Sequence, residues 1–96
     1  SSAVAWDLEQ YPIAVLVLAG DTTITAVNQV AGHLYPYRLT LVQDATGGRV
    51  VTWGGMFKFP SGVAPTLSTG ANAVDRILFD SDGTNMLYVN GQKDLR

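Results

Sequence analysis

The sequence contains no cysteine and has few charged residues. Without Cys the chain can form no disulfide, offers no thiolate ligand for zinc and has no thiol nucleophile. Only 15% of its 96 residues are charged while 47% are hydrophobic, against a usual charged share of about 25%. A free surface normally carries more charge than this. The deficit therefore indicates that a partner, or copies of the chain, cover part of its surface.

The chain also has no basic field and no long apolar run. Its net charge is −2, which gives no attraction for nucleic acid or for an anionic membrane. The longest apolar stretch, IAVLVLAG at 13–20, is well short of the roughly 20 residues that a membrane span needs. It lacks the basic flank of a signal peptide as well. We therefore expect neither nucleic-acid binding nor membrane insertion.

Helix signals are scarce, whereas strand signals recur along the whole chain. No long segment keeps an i, i+3, i+4 apolar stripe free of Gly, Pro and clustered β-branched residues. Short alternating runs rich in Val and Thr are separated by turn residues instead. This pattern predicts one all-β domain over residues 1–96, with residues 1–10 as an N-terminal arm or extension packing on a neighbour. About seven short strands would form an antiparallel sandwich, a jelly-roll-like fold or an open barrel.

Individual segments give more specific expectations. The continuous apolar run Ile13–Leu18 predicts a strand buried on both faces. Leu34–Gln43 is the longest strand candidate, with Leu39 and Leu41 on one face and Arg38, Thr40 and Val42 on the other. DATGG at 44–48 is typical of a hairpin loop, 60–73 of a long loop, and the segment around Gly83 of a tight hairpin turn.

Candidate catalytic and metal-binding residues do not assemble into a constellation. His33 is the only histidine, and no orienting carboxylate or nucleophile is adjacent to it. DSDGTN at 80–85 superficially resembles a calcium loop, but its Gly comes too early and no bidentate Glu follows. Asp75 beside Arg76 is interpreted as a strand-edge charge or a buried acceptor for backbone amides. We predict no catalytic residue, no metal and no cofactor, and hence no enzyme.

The aromatic residues leave two interpretations open. An aromatic platform for sugars or bases could be formed by Trp53, Phe57, Phe59, Tyr35, Tyr37 and Tyr88, with Arg49 and Lys58 as polar neighbours. Alternatively, Trp53, Phe57 and Phe59 face the core, which large aromatics dominate in small domains, and this is the favoured interpretation. Arg49 either pairs with Asp44 to fix its own turn or meets a neighbouring subunit. The candidates for interface or ligand contacts are Arg49, Trp53, Lys58, Phe59, Tyr35 and Tyr37.

Three segments carry a resemblance to a known class of protein. They are GDTTITAVNQVAGHLY at 20–35, QDATGGRVVTW at 43–53 and PTLSTGANAVD at 65–75, followed by the Gly83 hairpin. These segments are similar in sequence to β-domains of tailed-bacteriophage virion proteins, namely the C-terminal domains of tail-fibre and tail-tip proteins and head-decoration proteins. The resemblance spans most of residues 10–91. The chain departs from it at Phe59, where a Trp is expected.

The resemblance implies a structural protein of the virion, made in the host cytoplasm, that associates with itself, often as a trimer. Two functions follow from it. The preferred hypothesis is a decoration or cement protein that binds the capsid surface. The alternative is a tail-fibre or tail-tip domain that contacts other tail proteins and binds a glycan receptor on the host cell. A depolymerase activity has no supporting constellation of residues.

Overall fold

Alternating apolar and polar side chains put more than half of the described residues into β-strands. The computed structural model describes residues 2–29 and 35–95, so His33 and Leu34 lie outside the described residues. Eight strands are present in this part of the chain: β1 (Ser2–Asp7), β2 (Ile13–Leu18), β3 (Thr22–Val27), β4 (Tyr35–Gln43), β5 (Val51–Trp53), β6 (Phe57–Lys58), β7 (Val74–Ser81) and β8 (Met86–Gln92). The helical element of these residues is a single 3₁₀ turn at Pro60–Gly62. No helix in the described residues is long and apolar enough to cross a bilayer.

The strands form two sheets, which confirms the predicted β-sandwich class. One sheet has the order β1-β3-β5 and the other the order β2-β4-β7-β8-β6. The expected antiparallel pairing holds only for β4–β7 and β7–β8, while four other pairs are parallel. The reason lies in the connections: the first six strands alternate between the two sheets. Each connection reverses the chain, so strands i and i+2 of one sheet run in the same direction.

This alternation corrects the hairpin predicted at 44–48. The strand after that segment, β5, pairs with β3 in the smaller sheet and makes no ladder with β4. Residues 44–50 therefore carry the chain from one sheet to the other. The tight turn predicted at Gly83 is confirmed, since Gly83 has a φ of 95° and joins the antiparallel pair β7–β8.

Strand β2 also differs from its prediction. It lies at the edge of the five-stranded sheet, and only its alternate side chains turn toward the core. The outward-facing Ile13, Val15 and Val17 are 69%, 68% and 58% exposed. A continuous apolar run does not distinguish a central strand from an edge strand, because burial by neighbours is absent from the local pattern.

The core is centred on Phe79 of β7, which is fully buried. Its ring lies between 5.2 and 6.3 Å, centroid to centroid, from those of Trp6, Trp53, Phe57, Phe59 and Tyr88. Trp6 is itself buried, and its indole Nε1–H donates a 2.6 Å hydrogen bond to the Tyr11 carbonyl. Within the segment expected to be an N-terminal arm, β1 pairs with β3 and contributes Trp6 to the core of its own chain, and packing of this segment on a neighbour stays a prediction.

Candidate functional site

The turn that follows β4 is organised by the Asp44 carboxylate. Oδ1 accepts hydrogen bonds from the backbone N–H groups of Thr46 at 3.1 Å and Gly47 at 3.0 Å. Oδ2 lies 2.9 Å from a terminal nitrogen of the Arg49 guanidinium. The Arg49 hydrogen bond, followed by that of Gly47, lowers the pKa of Asp44 from its ordinary 3.8. Of the two roles left open for Arg49, the structure shows the first, in which it fixes its own turn.

Gln43, at the end of β4, joins this turn to the long loop. Its side chain is 3% exposed. Nε2 donates to the carbonyls of Arg49 at 3.0 Å and Ser68 at 3.1 Å, while Oε1 accepts from the Arg49 N–H at 3.0 Å. The Gln43 backbone N–H donates to the Ala73 carbonyl at 2.8 Å. Residues 43–49 and 68–73 therefore hold each other, and we call this contact the loop brace.

Gly47 allows the two halves of the loop brace to approach closely. Its φ is 75°, and a Cβ on it would lie 2.7 Å from the Thr69 carbonyl oxygen and 2.8 Å from the Ala71 nitrogen. The next residue, Gly48, donates its N–H to the same Thr69 carbonyl at 2.8 Å. Any other residue at position 47 would meet both a left-handed backbone and a steric clash.

Asp75 anchors the far end of the long loop. It is 3% exposed, and its carboxylate accepts hydrogen bonds from the backbone N–H groups of Ser68 at 2.6 Å and Asp94 at 2.8 Å. This confirms the interpretation of Asp75 as a buried acceptor for backbone amides. Backbone donors satisfy the charge here without a basic side chain.

The aromatic residues proposed as a platform pack against the core. The Trp53 ring lies 5.0 Å from that of Phe57, 5.6 Å from that of Phe59 and 5.7 Å from that of Phe79, with tilted or edge-on geometry. Phe57 is buried, and Trp53 and Phe59 are half-buried. The favoured interpretation, in which these rings form part of the core, is confirmed.

The other candidate residues lie apart from this cluster. Tyr37 is 6% exposed and packs edge-on against Trp6, with ring centroids 6.2 Å apart. Tyr35 is 42% exposed at the start of β4, and Lys58 is exposed on β6. The structure therefore does not bring the six candidates into one site. Their role in an interface or in ligand binding stays a prediction.

Arg49 and Trp53 do share one cleft. It has a volume of about 220 Å³ and lies between β5 and the long loop, with Pro65 and Leu67 on the opposite wall. The guanidinium at its rim is already paired with Asp44. What the cleft offers a ligand is therefore mainly apolar contact.

In the β7–β8 turn, the Asp82 carboxylate accepts hydrogen bonds from the backbone. Asp82 Oδ1 accepts from the N–H groups of Thr84 at 2.9 Å and Asn85 at 2.7 Å. These bonds lower its pKa, with the Asn85 bond as the largest cause. Among the described residues no group of three or more His, Asp or Glu side chains could hold a metal ion.

The segments that build the loop brace also carry the family relationship. The family described as "Putative phage tail fibre C-terminal domain" matches residues 10–86. The chain belongs to this family. No curated protein and no solved structure matches the chain. Because of the family match, this tail-fibre domain is a phage structural domain and part of the virion. The match also favours the tail-fibre alternative over the head-decoration hypothesis.

Within the tail-fibre domain, the residues of the distinctive segment 43–49 have a structural role. Gln43, Asp44, Gly47 and Arg49 hold the chain crossing between the sheets, as described above. Sequence reasoning missed the role of Gln43, although a signal for it was present. Gln43 shares the inward face of β4 with Leu39 and Leu41, and a polar residue at a buried position must find hydrogen-bond partners.

A cleft of the tail-fibre domain opens between two edge strands, β1 of the smaller sheet and β2 of the larger one. It has a volume of about 400 Å³ and is lined mainly by residues 4–7 of β1 and 13–16 of β2. Next to it, Ile13, Val15 and Val17 form what we call the apolar row. No residue from position 13 to position 20 is charged, so the apolar row is uncharged, whereas the lining of the cleft includes Asp7 of β1.

Proposed function

We propose that this domain acts at the host-contacting end of a tail fibre, where it binds a cell-surface receptor and catalyses no reaction. The observation that carries the proposal is the family match over residues 10–86. The fold supports it in one respect. Buried hydrogen bonds hold the long loop and the chain crossings, so the faces of the sandwich are rigid surfaces suited to recognition.

The test is competition for adsorption. The purified chain is expected to bind cells of the bacterium that the phage infects and to reduce the adsorption of intact phage. A receptor-resistant mutant of the same bacterium serves as the control and should bind no chain. Binding to isolated capsids with a rise in capsid melting temperature, and no binding to cells, would restore the head-decoration hypothesis and reject this one.

The domain is further proposed to meet copies of itself through the apolar row, with a trimer as the expected stoichiometry. Exposed edge strands invite pairing with other chains, and proteins usually protect them with Lys, Pro or bulges. β2 has none of these between Ile13 and Leu18. β2 itself carries no charge, so the β2 strands of identical copies can approach each other around a symmetry axis without repelling one another, while Arg38 of β4 lies beside Ile13 at one end of the strand.

Val15→Lys tests this surface. Val15 is 68% exposed, so the change should leave the monomer fold intact while placing a charge at the proposed interface. Val63→Lys is a matched control, because Val63 is 69% exposed on the long loop. The apolar row is small beside the roughly 800 Å² per partner of a stable interface. We therefore expect association only at high concentration.

Light scattering across a concentration series should show self-association that Val15→Lys abolishes and Val63→Lys leaves unchanged. If the parent chain stays monomeric at the highest concentration reached, or if both variants behave like the parent, the apolar row is not the contact between copies.

A further inference from the structure

Two arginines lie next to each other on the outer face of the five-stranded sheet. In the antiparallel ladder of β4 and β7, Arg38 is opposite Leu78 and Thr40 is opposite Arg76. Arg38 and Arg76 are therefore diagonal neighbours, which places their backbones roughly 7–8 Å apart with the side chains on one face. Both side chains are exposed.

Strand β8 adds two carboxamides to the same place. Asn90 is opposite Leu78 and Gln92 is opposite Arg76 in the β7–β8 ladder. Together these five residues line a groove of about 220 Å³, which we call the guanidinium groove. Two guanidinium groups and two amides surround an aliphatic floor supplied by Leu78.

Neither arginine makes an ion pair with another described residue, and the ion pair found in that part of the chain joins Arg49 to Asp44. Asp75, next to Arg76 in sequence, points inward and is buried. Asp80 lies on the outer face as the other diagonal neighbour of Arg38, but it forms no ion pair with Arg38 and does not line the groove. Two adjacent positive charges are thus exposed on a chain whose net charge is −2.

We propose that the guanidinium groove binds an anionic sugar unit of the host surface, through its carboxylate or phosphate group. Guanidinium donors bind the planar or tetrahedral anion in a forked geometry. The Asn90 and Gln92 amides can donate to and accept from sugar hydroxyls. The groove is smaller than the about 300–1,000 Å³ of drug-sized pockets, which suits a single sugar residue. This proposal rests on the proposed receptor-binding function and names the ligand class.

The experiment is an NMR titration of the ¹⁵N-labelled chain with glucuronate, with inorganic phosphate and with neutral glucose. Glucuronate or phosphate should shift the Nε–H resonances of Arg38 and Arg76 and the side-chain amides of Asn90 and Gln92 in a saturable way, and glucose should not. Tighter binding of glucuronate indicates an acidic sugar as the natural ligand. Tighter binding of phosphate indicates a phosphorylated one.

Substitutions test whether the anion binds at the guanidinium groove. Arg76→Gln should weaken binding at least about tenfold, as expected for the loss of a charged hydrogen-bond donor. Arg76→Lys, which keeps the charge but loses the fork, should recover only part of the affinity. Lys93→Gln is the matched control, since it removes an exposed positive charge that does not line the groove and should change the affinity less than about twofold.

The proposal is overturned by the absence of a saturable shift in the groove with either anion, by an equal loss of affinity for Lys93→Gln, or by a change of oligomeric state in Arg38→Gln/Arg76→Gln. The last would show that the arginines meet a second copy. The adsorption assay separates this proposal from the proposed function. If the doubly substituted chain competes with phage as well as the parent, receptor binding stands and the groove is rejected. If glucuronate binds but the parent chain does not bind cells, the groove stands and the receptor function fails.

Discussion

Replacing Gln43 with Ala should remove the centre of the loop brace. The Gln43 side chain makes three hydrogen bonds, two to the Arg49 backbone and one to the Ser68 carbonyl. Each contributes about 0.5–1.5 kcal/mol net, and the site is buried, so water replaces the lost partners poorly. We therefore expect the free energy of unfolding to fall by about 2–4 kcal/mol. That is a large part of the roughly 5–15 kcal/mol total of a small domain.

The assay is thermal unfolding of the purified chain by calorimetry or circular dichroism. For a domain of this length, 1 kcal/mol corresponds to about 4–8 °C in Tm, so Gln43→Ala should melt roughly 10–30 °C below the parent. Gln43→Glu keeps the side-chain volume but turns an acceptor oxygen toward two carbonyls, and should destabilise at least as much. Gln10→Ala, at an exposed turn position, is the control and should shift Tm little.

This result requires all three hydrogen bonds of the Gln43 side chain to form in the folded state. A Tm for Gln43→Ala within about 3 °C of the Gln10→Ala value would refute it. Such a result would mean that the long loop is held by its other contacts and that the buried amide adds nothing.

Two further predictions concern the same region. Gly47→Ala should lower the unfolding free energy by more than about 1–2 kcal/mol, because the left-handed backbone and the 2.7 Å approach to Thr69 both oppose a Cβ; Gly20→Ala, where a Cβ would meet no atom within 4 Å, is the control in the same melts. The lowered pKa of Asp44 stabilises the folded state fully above pH about 4, near the unfolded pKa, and this contribution disappears as the pH falls through the folded value. Asp44→Asn should accordingly flatten the fall of Tm between neutral and acid pH, and a curve parallel to that of the parent would contradict the pairing with Arg49.

Much of the strand content follows from local pattern, while the pairing of strands does not. Alternation places Leu39 and Leu41 inward and Arg38 and Thr40 outward, as the structure shows, because side-chain direction along a strand depends only on the chain itself. Which strand lies beside which depends on distant segments. The parallel ladder of β1 with β3, for example, joins residues 20 positions apart, as Ser2 and Thr22 illustrate.

The candidate site was predictable only in part, for a similar reason. The sequence motif around Asp44 and Arg49 indicated the family. It also allowed the pairing of Asp44 with Arg49 to be given as one alternative, because the two residues are close together in the chain. The contact of Gln43 with Ser68 is long-range, so no local pattern indicated which segment the amide would hold. The guanidinium groove required the β4–β7 register, which no local pattern provides.

The alternation of strands between the two sheets has a consequence for folding. Partners in the parallel ladders are far apart in sequence, as with Ile13 and Arg38 or Thr22 and Val51. Among the described strands, only β7 and β8 are consecutive in the chain and also paired with each other. Topologies dominated by such distant contacts fold in milliseconds to seconds rather than microseconds. During that interval β2 has no paired neighbour until β4 has been synthesised and has paired with it in the sheet. The apolar β2 is therefore unpaired during part of folding, when mispairing with another chain competes with correct folding.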